Sequence, residues 1–175
     1  AISSVLIVLF QDMGLAVSIL IALAVSLLFG LISGTLIAYK RLPSFVVTLA
    51  MMQIVYSLSK VLSGGAAVYT GYKGQDISPL LIDFYGKSLL GIPYPVLVCI
   101  ITVLGVTVFL RTSLGHFTYA VGGNEQAAFL SGIPVNTVKI LAYALSSILA
   151  CVSGILFVAR VGMGDPQAGT WFPLD

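Results

Sequence analysis

Side chains that could do chemistry are scarce in this chain, and those present are poorly arranged for catalysis. His116 is the single histidine, and no carboxylate stands near it in sequence to orient it as a general base. Cys99 and Cys151 both fall within apolar runs, which predicts buried free thiols rather than a disulfide or a metal pair. No catalytic residue and no metal ligand is assigned on these residues. No G-x-x-x-x-G-K-[ST] run exists, so no such loop cradles nucleotide phosphates. Nor does any Asp or Glu stand at the centre of a long apolar run, where ion-coupled carriers keep an ionisable group. The residues supply neither a reaction centre nor a source of energy.

Two groups of residues remain. Phe45, Thr48, Met52 and Tyr56 follow at spacings of three, four and four and so share one helical face, with Gln53 at its edge. A hydroxyl, an amide and aromatic rings are poorly matched to lipid, so this face is expected to look into a bundle. It could bind a neutral polar solute weakly enough to release it, although helix packing would use the same residues. The second group lies in the longest polar interruption, Arg111 to Lys139. There Asn124 can cap a short helix, Glu125 stands at the positive end of its dipole, and Gly132 and Pro134 end it. Between these marks Ala127, Ala128, Phe129 and Leu130 give an exposed apolar surface too short to be a core element. Such a helix is either a docking knob for a partner groove or a connector lying on a membrane surface.

The elements that position both groups follow from composition. The chain is 59% hydrophobic and 8% charged, whereas roughly a quarter of the residues in a soluble domain are charged. Lipid is therefore the solvent. A net charge of +2 without a basic cluster gives no footprint for nucleic acid. The pattern predicts an all-α fold, a polytopic transmembrane helical bundle in one domain over 1–175. It has one truncated span, Ala1–Phe10, and four full spans, Gly14–Ala38, Ser44–Ser63, Ile92–Leu110 and Lys139–Ala159. Ser26, Gly30 and Gly34 form a small-residue stripe suited to close helix packing within the chain; Ser146, Ser147, Ala150, Ser153 and Gly154 form a second. Lys40-Arg41-Leu42-Pro43 reads as a tight basic turn. Gly64 to Gly91, with Tyr69, Tyr72 and Tyr85 and a turn of helix after Pro79, reads as an interfacial loop. Arg160 to Asp175 reads as a partly polar terminal segment, and the apolar start at Ala1 suggests an internal fragment of a longer protein. Span alternation places the Lys40 turn and the loop 111–138 on one side. Lys and Arg divide four against four, so charge does not choose which side is inside.

Several segments resemble a known family. Arg111-Thr112, Leu114-Gly115, Tyr119-Ala120-Val121-Gly122-Gly123-Asn124, Ala127-Ala128 and Ser131-Gly132-Ile133 are similar to the cytoplasmic loop of bacterial ABC-importer permeases of the ribose type. That family also serves xylose, arabinose, galactose, autoinducer-2 and, more distantly, branched-chain amino acids. Pro43, Phe45, Thr48 and Leu49, and the run Gly91-Ile92-Pro93-Tyr94-Pro95-Val96, resemble it too. His116 and Phe129 depart from the pattern, standing where the family usually has a basic residue.

The resemblance implies a transport subunit rather than an enzyme, in the bacterial inner membrane. It implies a cytoplasmic coupling helix at about 124–132, with Gly122, Asn124, Glu125, Ala127, Ala128, Phe129, Ser131 and Gly132 facing an ABC ATP-binding subunit. ATP and Mg would sit on that partner, with no cofactor on this chain. A periplasmic substrate-binding protein and a second permease copy are the other partners implied, beside the lipid bilayer. The implied solute is a monosaccharide, pentose or hexose, with Phe45, Thr48, Met52, Gln53 and Tyr56 as its pathway; autoinducer-2 or another small polar metabolite is the alternative. On the spans alone, a passive channel or a non-transport scaffold stays open. Leu62-Ser63-Gly64-Gly65 looks like the start of the ABC ATPase signature, but it closes a span and leads into Ala-Ala-Val-Tyr. It is a helix stop.

Overall fold

The computed structural model describes residues 1–69, 88, 89 and 92–167. Seven helices are described in this order: α1 (Ile2–Leu9), α2 (Leu15–Lys40), α3 (Ser44–Ser63), α4 (Tyr94–Leu110), α5 (Ser113–Gly123), α6 (Glu125–Leu130) and α7 (Val135–Val161). Helices α2, α3 and α7, with 26, 20 and 27 residues, are long and apolar enough to cross a membrane. At 1.5 Å per residue they reach about 30–40 Å, against roughly 30 Å of hydrocarbon. Helix α4 has 17 residues, and counts as a fourth span only together with α5, from which it bends by 76°. None of its residues is buried.

Helices α2 and α7 form the largest interface and run antiparallel. Their seam is the expected small-residue stripe of α2. A Cβ on Gly30 would collide with Ser147 and with the Tyr143 carbonyl, and one on Gly34 would stand 2.8 Å from the Ile140 Cα. Only the absence of side chains lets the two backbones approach this closely. The stripe on α7 is only partly as expected. Its packed face is Tyr143, Ser147, Cys151 and Gly154, whereas Ser146, Ala150 and Ser153 lie one position round the helix and are exposed. Cys151 is buried, but Cys99 is exposed on α4, contrary to the expectation of two buried thiols.

Helix α1 is the inner element. Ile2 to Val8 are all buried, and Ile2, Leu6, Ile7 and Val8 pack with Ala22, Cys151, Val158 and Ala159. A 3-10 turn, Gln11–Met13, and Gly14 at φ 104° reverse the chain into α2. The Ser18 hydroxyl, fully buried, donates towards the Phe10 carbonyl at 2.8 Å and the Gly14 carbonyl at 3.0 Å, so the bend leaves fewer orphan carbonyls. The basic turn is also present: Arg41 takes a left-handed conformation, φ 52°, and Pro43 opens α3.

Four two-residue strands add to the expected all-helical pattern. β1 (Val68–Tyr69) pairs antiparallel with β4 (Met163–Gly164), tying the end of α3 to the end of α7. β2 (Ser88–Leu89) pairs with β3 (Ile92–Pro93), so the third span starts at Tyr94 rather than Ile92. Helix α7 starts earlier than expected, at Val135, because Pro134 fixes the cap geometry and Val135 and Val138 are buried; Lys139 lies inside the helix. The expected features at Tyr72, Pro79, Tyr85 and 168–175 lie outside the described residues.

Candidate functional site

The polar stretch after α4 is largely helical, not a loop with one helix in it. Helix α5 begins where the Thr112 hydroxyl accepts the Gly115 N–H at 3.3 Å, and Gly115 sits directly against the Phe109 and Leu110 backbone. A side chain there would block the 76° corner. Three glycines and no clear apolar stripe hide α5 in the sequence; what reveals it is the contact of Gly115 with α4. The His116 ring Nδ1 lies 2.8 Å from the Thr112 carbonyl, within the same first turn.

Helix α6 has the expected ends. The Asn124 Oδ1 accepts the Ala127 N–H at 3.0 Å, which satisfies one free donor of the first turn. Gly132, at φ 80°, follows the last turn, and the Ile133 N–H donates to the Ala128 carbonyl at 3.1 Å. The Ser131 hydroxyl donates to the Ala127 carbonyl at 2.9 Å. The apolar surface is divided, however. Phe129 and Leu130 are 70% and 85% exposed, whereas Ala128 is only 4% exposed. Ala128 holds the helix to the protein, and Phe129 and Leu130 are what it offers outward. Gly122, Glu125 and Ala127 are exposed as well.

One partner was not legible. Lys139 Nζ donates to Glu125 Oε1 at 2.7 Å, joining the first residue of α6 to the second turn of α7. Nothing in the local spacing indicates a pair separated by fourteen positions. Beside it, a groove of about 920 Å³ runs between the end of α2, at Tyr39 and Arg41, the outer face of α6, at Phe129 and Leu130, and Asn136 of α7. Its mixed apolar and polar wall suits a protein surface.

The α3 residues are placed differently from the expectation. Val47 and Ser59 are the buried positions of α3, and Val55 packs on the core, so the packed face is Val47, Val55 and Ser59. Phe45, Thr48, Met52 and Tyr56 lie beside this face, with Tyr56 one turn before Ser59. Phe45 is 71% exposed, Thr48, Met52 and Gln53 are exposed, and Tyr56 is half-exposed beneath Lys60 Nζ, 4.6 Å from its ring centre. Phe45, Thr48, Met52 and Gln53 thus stand outside the packing of α3 on the described core, and Tyr56 stands at its border. The Thr48 hydroxyl donates to the Phe45 carbonyl at 3.0 Å, which leaves its lone pairs free to accept. The α3 face and the α6 corner are two separate surfaces. They lie at the helix side and the helix end.

Comparison with known proteins decides what such a bundle is. A family model described as branched-chain amino acid transport system / permease component matches residues 1–175. The chain belongs to this family. It is 38% identical over 162 residues to the ribose import permease protein RbsC of Escherichia coli, covering 91% of this chain and 49% of that protein. It is 30% identical over 217 residues to the xylose transport system permease protein XylH of Haemophilus influenzae, covering 92% and 58%. With the L-arabinose ABC transporter permease protein AraH of Azospirillum brasilense it shares 36% over 146 residues, covering 83% and 41%. This permease chain thus spans about half the length of these curated relatives. No solved structure matches it. The family and the three long apolar helices make it a multi-pass membrane protein.

Proposed function

We propose that this chain is the membrane-spanning part of a permease that imports a monosaccharide across the bacterial inner membrane, driven by ATP hydrolysed on a partner. The observation that carries this is the outer face of α6: a helix capped by Asn124, anchored through Ala128, with Phe129 and Leu130 turned outward. Burying both side chains in a partner groove would remove apolar area from water, worth roughly 1.5–3 kcal/mol for each. The partner is an ABC ATP-binding subunit carrying ATP and Mg, which places α5 and α6 in the cytoplasm. A periplasmic binding protein delivers the solute on the other side, and a second permease copy completes the pathway. The relatives named for ribose, xylose and L-arabinose support a pentose or hexose. Phe45, Thr48, Met52, Gln53 and Tyr56, uncharged and outside the packed core, are the candidate lining of that pathway.

The test is Phe129→Asp with Leu130→Ser in the full-length permease, reconstituted with its ATP-binding subunit and binding protein. Loss of the ATP-binding subunit on co-purification, with the permease still inserted and monodisperse, is the expected result. Retention of the subunit together with unchanged stimulated ATP hydrolysis would return α6 to a surface connector.

A further inference from the structure

We propose that Glu125 and Lys139 form a strut that makes α6 and the first turns of α7 move as one body. This rests on the reading of α6 as the helix that docks on the ATP-binding subunit. Helix α6 has six residues, and both of its chain connections are bends. At its start Asn124 is extended, φ −155° and ψ 107°, directly after α5. At its end Gly132 takes φ 80°, and the bonds there, Gly132 N–H to Phe129 and Ile133 N–H to Ala128, close the end of α6 on itself. Anchored through Ala128 and attached through a bend at each end, a six-residue rod can rock about that anchor when pushed, and the rocking dissipates the displacement.

The ion pair removes that freedom. Glu125 is the first residue of α6 and lies at the opposite end from Gly132. Its carboxylate meets Lys139 Nζ at 2.7 Å, one turn into α7. The chain thus fixes the far end of α6 to α7, and the pair fixes the near end. Lys139 is only 24% exposed, so its amine is held against the protein, whereas Glu125 at 56% remains at the water edge. Helix α7 then continues into Ile140, Tyr143 and Ser147, the residues that meet Gly30 and Gly34 of α2. A displacement of α6 would reach the α2–α7 seam without crossing a flexible joint.

A pair this exposed contributes little to global stability. Its effect should therefore appear in coupling and leave folding unchanged, which separates a positioning role from a structural one. Glu125→Gln, Lys139→Met and the exchange Glu125→Lys with Lys139→Glu are compared in the full-length permease, reconstituted with its ATP-binding subunit and binding protein. The readouts are the amount of ATP-binding subunit retained, the thermal midpoint, and the ATP hydrolysed per solute imported, with ribose as the first solute tried. Expected are a wild-type midpoint in every variant, wild-type retention in Lys139→Met, a ratio raised roughly two- to fivefold in each single variant, and a return towards wild type in the exchange. An unchanged ratio in the single variants overturns the strut, as does an exchange no better than either single change. Loss of the ATP-binding subunit in Lys139→Met would show Lys139 touching that partner directly, which also overturns the strut while keeping the docking reading. Failure of the wild-type permease to retain the subunit overturns both. If the wild type retains it but moves no ribose, xylose and arabinose take its place in the same ratio.

Discussion

Gly34 of α2 faces the backbone of Ile140 in α7 so closely that a methyl group on it would stand 2.8 Å from the Ile140 Cα. The obstacle is main chain, which cannot rotate away as a side chain could. Gly34→Val should therefore force the two helices apart and lower stability by roughly 1–3 kcal/mol. Thermal unfolding in detergent checks this, with Gly105→Val as the control: Gly105 is helical too, but nothing lies within 4 Å of its missing Cβ. Equal losses in the two variants would mean that helix propensity, not contact, set the cost.

Ala128 and Phe129 are neighbours with opposite environments, and aspartate should have opposite effects at the two. At Ala128, 4% exposed, it would bury an unpaired charge and destabilise the α5–α6–α7 corner. At Phe129, 70% exposed, it should leave the fold intact and remove the ATP-binding subunit. Limited proteolysis reports the first effect and co-purification the second. The expectation fails if Ala128→Asp is as protease-resistant as wild type.

Asn124→Ala removes the Oδ1 that accepts the Ala127 N–H and should weaken α6 by roughly 1 kcal/mol. Assembly with the ATP-binding subunit should persist, with stimulated ATP hydrolysis reduced by a few-fold. Asn124→Asp keeps the acceptor and should behave as wild type; if it falls to the level of the alanine variant, capping is not the cause.

On α3, Thr48→Val conserves volume and removes an acceptor on the exposed face. If this face lines the solute path, uptake should fall by a factor reflecting about 1 kcal/mol of lost hydrogen bonding, while insertion is unchanged. Wild-type uptake of ribose, xylose and arabinose by this variant would remove Thr48 from the path.

Sidedness is open to labelling in a background without Cys99 and Cys151. A cysteine at the exposed Ala66 should react with an impermeant maleimide added outside, and one at the exposed Gln126 only after permeabilisation. The reverse pattern would invert the orientation.

The parts of this molecule legible in its sequence are those fixed by local chemistry. Helix α3 runs over Ser44–Ser63 as expected because Pro43 and Gly64 punctuate it, and α6 lies between Asn124 and Gly132 for the same kind of reason. Intramolecular packing of Gly30 and Gly34 was also readable, since small residues at that spacing have few other uses in a span. What escaped depends on distant partners. Helix α5 is held by Gly115 against α4, and Lys139 finds Glu125 fourteen positions back. Which α3 residues pack against the rest of the described chain is not readable locally, because Val47, Val55 and Ser59 look no more like core residues than Phe45 and Met52 do. Their preference emerges only once α1 occupies the space beside them.

The seam between α2 and α7 carries a consequence for how the protein is made. Roughly a hundred residues separate Gly34 from Ile140, so at about 5–20 residues per second α2 waits several seconds in the bilayer before its mate emerges from the ribosome. During that interval lipid chains, not a helix, occupy the shallow groove along Ser26, Gly30 and Gly34. Any other nascent helix with a matching small-residue face could occupy it. Correct pairing of α2 with α7 would then depend on the rate at which the intervening segments are delivered to the membrane.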